Sequence, residues 1–399
     1  VYFQALDDKT NCIGIYFDGR LIFDESMFPN TLSGMKTWKY SGSIREDVEY
    51  AWFYAGGKGL DEVCPESLSK ELSSNQSKLL AFKKAFDIAK IDFREHCFFE
   101  LVPHDYLRSF LDIKNKITQH VIENYEKPET YDHLIAVEKL LYKIRYNELN
   151  VSNKDCRNLF VGTNSRINAQ KILKGPKYID YNIYGTKTGR LTTQANSFPI
   201  LTMKKELRAL LKPKNDWFVS LDYNGAEVRT VLSLLEKAQP DYDVHEWNME
   251  NTLKHLSPKD RESAKTIFFA WLYNPNSKKI ERSIYDREAI LDQYYDGSKV
   301  TTPFGRKIVV DKQKSLNYII QSTTADLVND RAVAIDKFLD DKESFVSHIV
   351  HDEVVIDMPD NERHLIPQIR DIFSNNKLDI FKTNLKAGKD YYNLGDLNL

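Results

Sequence analysis

Two apolar runs far apart in this chain both stop at carboxylates. Residues 217–221 (Trp-Phe-Val-Ser-Leu) lead into Asp222-Tyr223-Asn224-Gly225-Ala226-Glu227. Residues 345–350 (Phe-Val-Ser-His-Ile-Val) lead into His351-Asp352-Glu353, and residues 354–358 (Val-Val-Ile-Asp-Met) follow. Short runs of this kind, rich in β-branched and aromatic residues, read as buried strands. The tight joint through His351-Asp352-Glu353 makes the second pair a hairpin, and residues 226–235 read as a helix after the first strand. Strand ends fix the backbone, and the turns that follow aim carboxylate oxygens into a cleft.

Between these segments, residues 259–273 read as a helix stopped by Asn274-Pro275. Arg261, Lys265, Phe269 and Tyr273 recur at steps of four, which keeps them on one slowly drifting face about 18 Å long. The two cations sit toward the amino end, where the helix dipole favours anions. The two aromatics lie further along, placed to stack on a base. Strand-end carboxylates suit Mg²⁺, which prefers oxygen and takes one or two carboxylates plus substrate phosphates. Two such ions roughly 3.5–4 Å apart can activate an attacking hydroxyl and stabilise the leaving oxygen. Asp222 and Asp352 are the expected bridging ligands, with the Tyr223 carbonyl as a further one. Singly, each segment reads as an ordinary turn or surface helix. Together and in this order, they are the equipment of a nucleotidyl transferase.

The rest of the chain bounds this reading. A length of 399 residues predicts two to three structural units. With 42% hydrophobic and 29% charged residues, and no apolar run long enough to span a bilayer, the composition is that of a globular protein. No secretion signal is seen, which predicts a cytoplasmic protein without a membrane partner. Val1-Tyr2-Phe3-Gln4 looks like the remnant of an engineered cleavage site and is set outside the fold. Cys12, Cys64, Cys97 and Cys156 are scattered, which predicts buried thiols in a reducing setting. The net charge of −2 requires that any cationic surface for nucleic acid be local.

Asp18-Gly19 between apolar runs over residues 11–24 predicts a hairpin. Gly56-Gly57-Lys58-Gly59 lacks the spaced serine or threonine of a phosphate loop and reads as a turn. Two amphipathic helices follow, with Phe110, Ile113, Ile117 and Val121 on one face of the first and Leu134, Val137, Leu141 and Ile144 on one face of the second. Their short loop predicts an antiparallel pair, with Lys114, Lys116 and Lys139 toward solvent.

The chemistry-bearing segments resemble family A DNA polymerases, whose motifs read roughly D-Y-S-Q-I-E-L-R, R-x-x-x-K-x-x-x-F-G-x-x-Y-G and V-H-D-E. Here they read Asp222-Tyr223-Asn224-Gly225-Ala226-Glu227-Val228-Arg229, then Arg261, Lys265, Phe269 and Tyr273, then Val350-His351-Asp352-Glu353. Thr188-Gly189-Arg190-Leu191-Thr192-Thr193 is similar to the family's T-G-R-L-S-S, Asp243-Val244-His245 to its D-x-H, and Phe304-Gly305-Arg306 to its F-G-R. The run from Asn317 through Gln321 to Ala325-Asp326 is similar to its N-x-x-x-Q-G-x-x-A-D. The resemblance is collinear over residues 177–399.

It implies an α+β right-hand fold of palm (an antiparallel sheet), fingers and thumb, compact and possibly phage-type, with a small N-terminal α+β region. The expected division is a tag remnant at 1–4, the N-terminal region at 5–95, a thumb-like helical region at 96–170, palm at 171–235 and 301–399, and fingers at 236–300. The implied activity is template-directed addition of deoxynucleoside triphosphates to a primer 3′-hydroxyl on primer–template DNA, with two Mg²⁺ ions or Mn²⁺ in their place. Asp222 and Asp352 would bind metal, with Glu353 supporting them. Arg261, Lys265 and His245 would contact the triphosphate, and Lys265 would give a proton to the pyrophosphate. Glu227 and Phe269 would exclude a 2′-hydroxyl, and Tyr273 would lie by the templating base. Arg190, Asn317, Gln321 and His351 would meet the primer–template.

Asn224-Gly225-Ala226, Phe268, Ala270 and Asn274 depart from the pattern. Residues 5–100 show no module resembling a 3′–5′ exonuclease with its D-x-E motif, so proofreading is not expected in this chain. A separate exonuclease, a processivity factor or a helicase–primase would be natural partners, in a bacterial or virus-infected cell. The alternatives are a single-subunit RNA polymerase, which Glu227, Phe269 and Glu353 argue against, and a silent nucleic-acid-binding subunit, which the retained carboxylates argue against.

Overall fold

The computed structural model of the chain describes all residues except 9–10, 30–33, 43–47, 94, 155–161, 278–279, 281–284 and 398–399. The chain divides into two compact units, Val1–Tyr146 and Asn147–Leu399. The boundary between them falls within residues 96–170.

In the first unit, β1 (Phe3–Asp8), β2 (Asn11–Phe17) and β3 (Arg20–Ile22) form an antiparallel sheet in chain order. The predicted hairpin joins β2 to β3. Asp18 and Gly19 both take positive φ, 48° and 77°, as the tight two-residue turn requires. The expectation that residues 1–4 stand outside the fold is overturned. Phe3 pairs with Phe17 and is fully buried, and the buried Gln4 donates from Nε2 to Thr118 Oγ1 at 3.0 Å. Burying a phenylalanine contributes about 1.5–3 kcal/mol, and the Gln4 amide is satisfied, so both belong to the core.

Three long helices among the described residues pack in the first unit: α1 (Glu66–Ile88), α2 (His104–Asn124) and α3 (Tyr131–Tyr146). The predicted apolar faces are present, with Phe110 only half-buried. The partner of α2 differs from expectation: it packs mainly on α1 and the first sheet rather than on α3. Its apolar stripe is wide enough to serve two cores. Ile113, Ile117 and Val121 join Trp38, Ala51 and Leu72, while Leu107 and Leu111 join Leu6 and Tyr16.

Lys116 and Lys139 are exposed, whereas Lys114 is half-buried. Gly56 and Gly57 take positive φ, 62° and 82°, in the predicted turn. Cys97 is buried, but Cys64 is only half-buried; Cys156 and the Cys12 side chain lie outside the described residues. Within residues 5–100 one D-x-E triplet does occur, Asp47-Val48-Glu49. Asp47 lies outside the described residues, and Glu49 is engaged by Lys36 at 3.3 Å and Lys127 at 3.5 Å.

The second unit is built on a five-stranded antiparallel sheet of β4 (Trp217–Tyr223), β5 (Phe345–Val350), β6 (Glu353–Met358), β7 (Thr383–Gly388) and β8 (Gly395–Asp396), in the order β5-β6-β4-β7-β8. The outer strand β5 is held by Tyr181, whose hydroxyl donates to Ile349 O at 2.6 Å and accepts from Ile349 N at 3.0 Å. Around the sheet lie α4 (Ala226–Leu234), α5 (Val244–Asn251), α6 (Arg261–Tyr273), α7 (Lys312–Phe338) and α8 (Ile366–Ser374). On α6, Ala264, Phe268, Trp271 and Leu272 are buried with Val228 and Leu232 of α4 and Ile319 and Ile320 of α7. This apolar stripe turns the Arg261–Lys265–Phe269–Tyr273 face away from the core. No helix among the described residues is long and apolar enough to cross a membrane.

Candidate active site

Three polar side chains fall on one line across the sheet: Glu353, Asp222 and Asn384 are register partners on β6, β4 and β7. Asp352 precedes Glu353 in a two-residue turn whose first residue, His351, has φ 58°. That left-handed conformation costs a non-glycine residue about 1–3 kcal/mol and persists only where the surroundings over-determine it. Asp222 and Asp352 line a cleft of about 500 Å³ together with Tyr223, Glu227, His245, Arg261, Lys265, Phe269, Tyr273, Arg190 and His351. Asn317, Gln321 and Glu353 do not line it.

Burial raises the Asp222 pKa far above the carboxylate range, and the neighbouring charge of Asp352 raises it further. Asn384 Nδ2, 3.4 Å from Asp222 Oδ2, works in the other direction. A desolvated Asp222 facing the charge of Asp352 fits a divalent cation, whose charge would relieve burial and repulsion together. No group of three or more His, Cys, Asp or Glu side chains among the described residues is arranged to hold a metal. The side-chain donor set is thus two carboxylates, the complement Mg²⁺ accepts when substrate phosphates supply other ligands. The Tyr223 ring is buried against Phe373 (4.2 Å), and its hydroxyl donates to Phe373 O at 2.6 Å, so its main chain is what it can offer the cleft.

Glu353, expected beside the metals as a support, has both oxygens engaged in hydrogen bonds. Ser220 Oγ donates to Oε1 at 2.5 Å and the Tyr391 hydroxyl to Oε2 at 2.6 Å. It lines an adjoining recess with Lys205, Arg208 and Lys386.

Asp243 organises the cationic side of the cleft, a role the sequence reading assigned to no residue. Its Oδ1 caps α5 by accepting from the N–H groups of His245 (2.9 Å) and Glu246 (3.1 Å). Its Oδ2 accepts from Asn224 Nδ2 (2.7 Å) and Arg261 Nε (2.9 Å). Burial pushes its pKa up, but the bonds from Asn224 and Arg261 outweigh this and hold it at about 2. The first residue of α6 is therefore tied to the start of α5. The available signal was an aspartate just ahead of a helix, a strong N-cap position.

Asn224, a departure from the family pattern, joins the same network. Its Oδ1 accepts from Val244 N at 2.8 Å and Arg229 Nη2 at 3.2 Å. Arg229 is wholly buried, and it also donates to the main-chain carbonyls of Asn224 (2.7 Å), Pro240 (2.9 Å) and Tyr242 (2.9 Å) and to Gln239 Oε1 (3.4 Å). Lys265, one turn along α6, is exposed and makes no ion pair among the described residues. Phe269 and Tyr273 stack at 5.8 Å.

His245 is buried, and its Nδ1 has no hydrogen-bond partner among the described residues. Burial, then the Arg261 charge, lowers its pKa to about 4, so it is neutral at pH 7. In the unfolded chain the imidazole titrates near ~6.5. Between those values the unfolded state binds more protons, so the stability contributed by neutral His245 is full above the window and lost as pH falls through it. Buried His348, lowered to about 3, adds to the same slope. His245→Asn is expected to flatten the fall of Tm between pH ~6.5 and 4. Thermal melts across that range measure it; an unchanged slope would remove His245 as a contributor.

At the far side, Glu227 in the first turn of α4 pairs with Arg190 and accepts from the Tyr273 hydroxyl at 3.4 Å. Gln321 Nε2 reaches the same hydroxyl at 3.5 Å. Asn317 lies one turn earlier on α7, its Oδ1 buried and without a hydrogen-bond partner among the described residues. The loop carrying Arg190 rests on a buried ion pair, with Arg306 Nε to Asp326 Oδ2 at 2.9 Å and Nη2 to Oδ1 at 2.6 Å. Gly189, at φ 77°, passes so close that a Cβ there would lie 2.6 Å from the guanidinium.

This fold is that of a polymerase domain. It matches the POL domain of Pol1 from M. smegmatis, solved in complex with DNA primer-template and dNTP, with a TM-score of 0.65 and 11% identity, over 98% of this chain and 95% of that one. In sequence, 260 residues (48% of the chain) are 24% identical to DNA polymerase I of Synechocystis sp. (strain ATCC 27184 / PCC 6803 / Kazusa). That match covers 26% of the cyanobacterial protein, so the chain spans about a quarter of that relative. No family model matches the chain. The chain is thus Pol I-like, in sequence over that stretch and in fold over nearly its whole length.

Proposed function

We propose that this chain is a template-directed, DNA-dependent DNA polymerase whose primer 3′-hydroxyl attacks the α-phosphate of a bound deoxynucleotide and releases pyrophosphate. The observation that carries this reading is the meeting, in one cleft, of Asp222 and Asp352 with the Arg261–Lys265–Phe269–Tyr273 face of α6. Residues 171–235 and 301–399 would form the palm, 236–300 the fingers and 96–170 the thumb-like region.

Asp222, Asp352 and the Tyr223 carbonyl would hold two Mg²⁺ ions, which supply Lewis acidity at the reacting phosphate and hydroxyl. Arg261, shared with Asp243, and Lys265 would take the triphosphate, with neutral His245 beside them. Lys265 would deliver a proton to the pyrophosphate. Glu227 and Phe269 would close the space a 2′-hydroxyl needs, and Tyr273 would sit by the templating base. Arg190, Asn317 and Gln321 would test pair geometry at minor-groove acceptors shared by all correct pairs, and His351 would meet the primer end. Glu353 would act as a support. Most of the rate would come from positioning and charge, and duplex would be held through its backbone, so binding should weaken steeply with salt.

The test is primer extension on a recessed duplex with Mg²⁺, using deoxy- and ribonucleotides. Wild type is expected to extend with deoxynucleotides, and Glu227→Ala to lose about 10-fold or more of the discrimination against ribonucleotides. A wild type that prefers ribonucleotides would overturn the gate, and one that binds duplex but extends with neither would overturn the polymerase reading.

A further inference from the structure

We infer that Tyr391 and Ser220 are positioning residues, acting through Glu353 to hold Asp352 in place; this rests on the polymerase reading above. Asp352 sits in a turn of only two residues, between Val350 and Glu353, which are register partners. Whatever immobilises Glu353 therefore sets where the Asp352 carboxylate points. The turn also carries the left-handed His351, a conformation that needs outside support.

That support comes from two hydroxyls on two other segments. Ser220 lies on β4, and its Oγ takes one Glu353 oxygen at 2.5 Å; Tyr391 follows β7, and its hydroxyl takes the other at 2.6 Å. The bridge thus spans three segments, and both donors bond to a carboxylate, the stronger kind of hydrogen bond.

Tyr391 is itself fixed. It is 2% exposed, its N–H donates to Leu211 O at 3.1 Å, and its ring meets His348 edge-on at 4.7 Å. The Arg208 guanidinium lies over the same ring at 4.7 Å. The hydroxyl is a rigid anchor, and Glu353 is the strut between it and the turn.

A strut and a metal ligand respond differently to substitution. Glu353→Gln keeps one acceptor oxygen and presents its NH₂ group to a hydroxyl that can turn to accept. The strut survives without its charge, whereas a ligand role would not. Wild type, Tyr391→Phe, Glu353→Gln and Glu353→Ala would be compared by single-turnover extension. Mn²⁺ titration of each protein without nucleotide, followed by loss of the free-ion EPR signal, gives a readout independent of turnover, and Tm checks the fold.

Tyr391→Phe and Glu353→Ala are expected to lower the turnover rate about 10- to 100-fold, the scale of an ångström-level misplacement. Both should weaken Mn²⁺ binding, with KM for deoxynucleotide near wild type. Glu353→Gln is expected to stay within about 3-fold of wild type, since its geometry is kept. Glu353→Gln as damaging as Glu353→Ala, or Tyr391→Phe with wild-type turnover and Mn²⁺ affinity, would overturn the inference. A wild type that does not extend overturns the polymerase reading instead, and the Mn²⁺ titration still decides this one.

Discussion

Asp222→Asn is expected to abolish primer extension and, in the same protein, to raise Tm at pH 8 without metal. The two effects share one cause. Asp222 is desolvated and faces the charge of Asp352, so its pKa is raised in the folded state. Above the unfolded value near ~4, the folded protein holds the proton more strongly. Stability therefore falls as pH rises through the window. Asparagine removes that penalty, giving on the order of 1 kcal/mol, or about 2–4 °C for a unit of this size. The gain should be present at pH 8 and vanish near pH 4.

Activity moves the other way. Losing a metal carboxylate removes several kcal/mol of transition-state stabilisation, which is about 10³-fold or more in rate. Excess Mg²⁺ should stabilise wild type and not the variant, because only the wild-type fold binds it well. Melting at pH 4 and pH 8, with and without Mg²⁺, beside a primer-extension assay, reads all of this. A variant that loses activity and also melts lower at pH 8 would show that Asp222 holds the fold rather than a strained, cation-seeking site.

Asp326→Ala is expected to give the largest loss of stability in the second unit. It leaves Arg306 buried beside an empty place, and breaking a buried ion pair from one side costs about 3–5 kcal/mol. At this size that is a fall in Tm on the order of 10 °C. Replacing both partners with Arg306→Met and Asp326→Leu should recover much of it, because no unpaired charge remains. Activity should not recover with it: the loop at Gly189 packs on the Arg306 guanidinium and sets Arg190 against Glu227. A double variant that recovers both Tm and extension rate would show that the ion pair does not position Arg190.

Much of the site was legible because its cues are local. The strand ends at Asp222 and Val350, the turn at His351-Asp352, and the four-residue steps on α6 come from periodicity and turn chemistry within a few residues. The same logic predicted the Asp18-Gly19 hairpin and the apolar faces of α2 and α3. Where the fold departed, the deciding contact was distant. Phe3 and Gln4 read as a stray tail until the next strand supplied Phe17 and a helix more than a hundred residues along supplied Thr118 as partners. The apolar face of α2 follows from its period, whereas its width, which admits two cores, shows only in the packing.

By itself, then, the sequence determined which side chains could do chemistry and which helix face or strand end would carry them. The tertiary structure decided what each polar group is bonded to. Glu353 and Asp352 are neighbours with the same charge. Packing places Ser220 and Tyr391 on Glu353, and leaves Asp352 facing Asp222 across a cleft. Asp243 became a hub in the same way, because the starts of α5 and α6 and the Asn224 side chain all meet at its carboxylate. A long polar side chain takes whichever partner the packing brings within about 3 Å, and packing is set by the whole core rather than by the residues on either side.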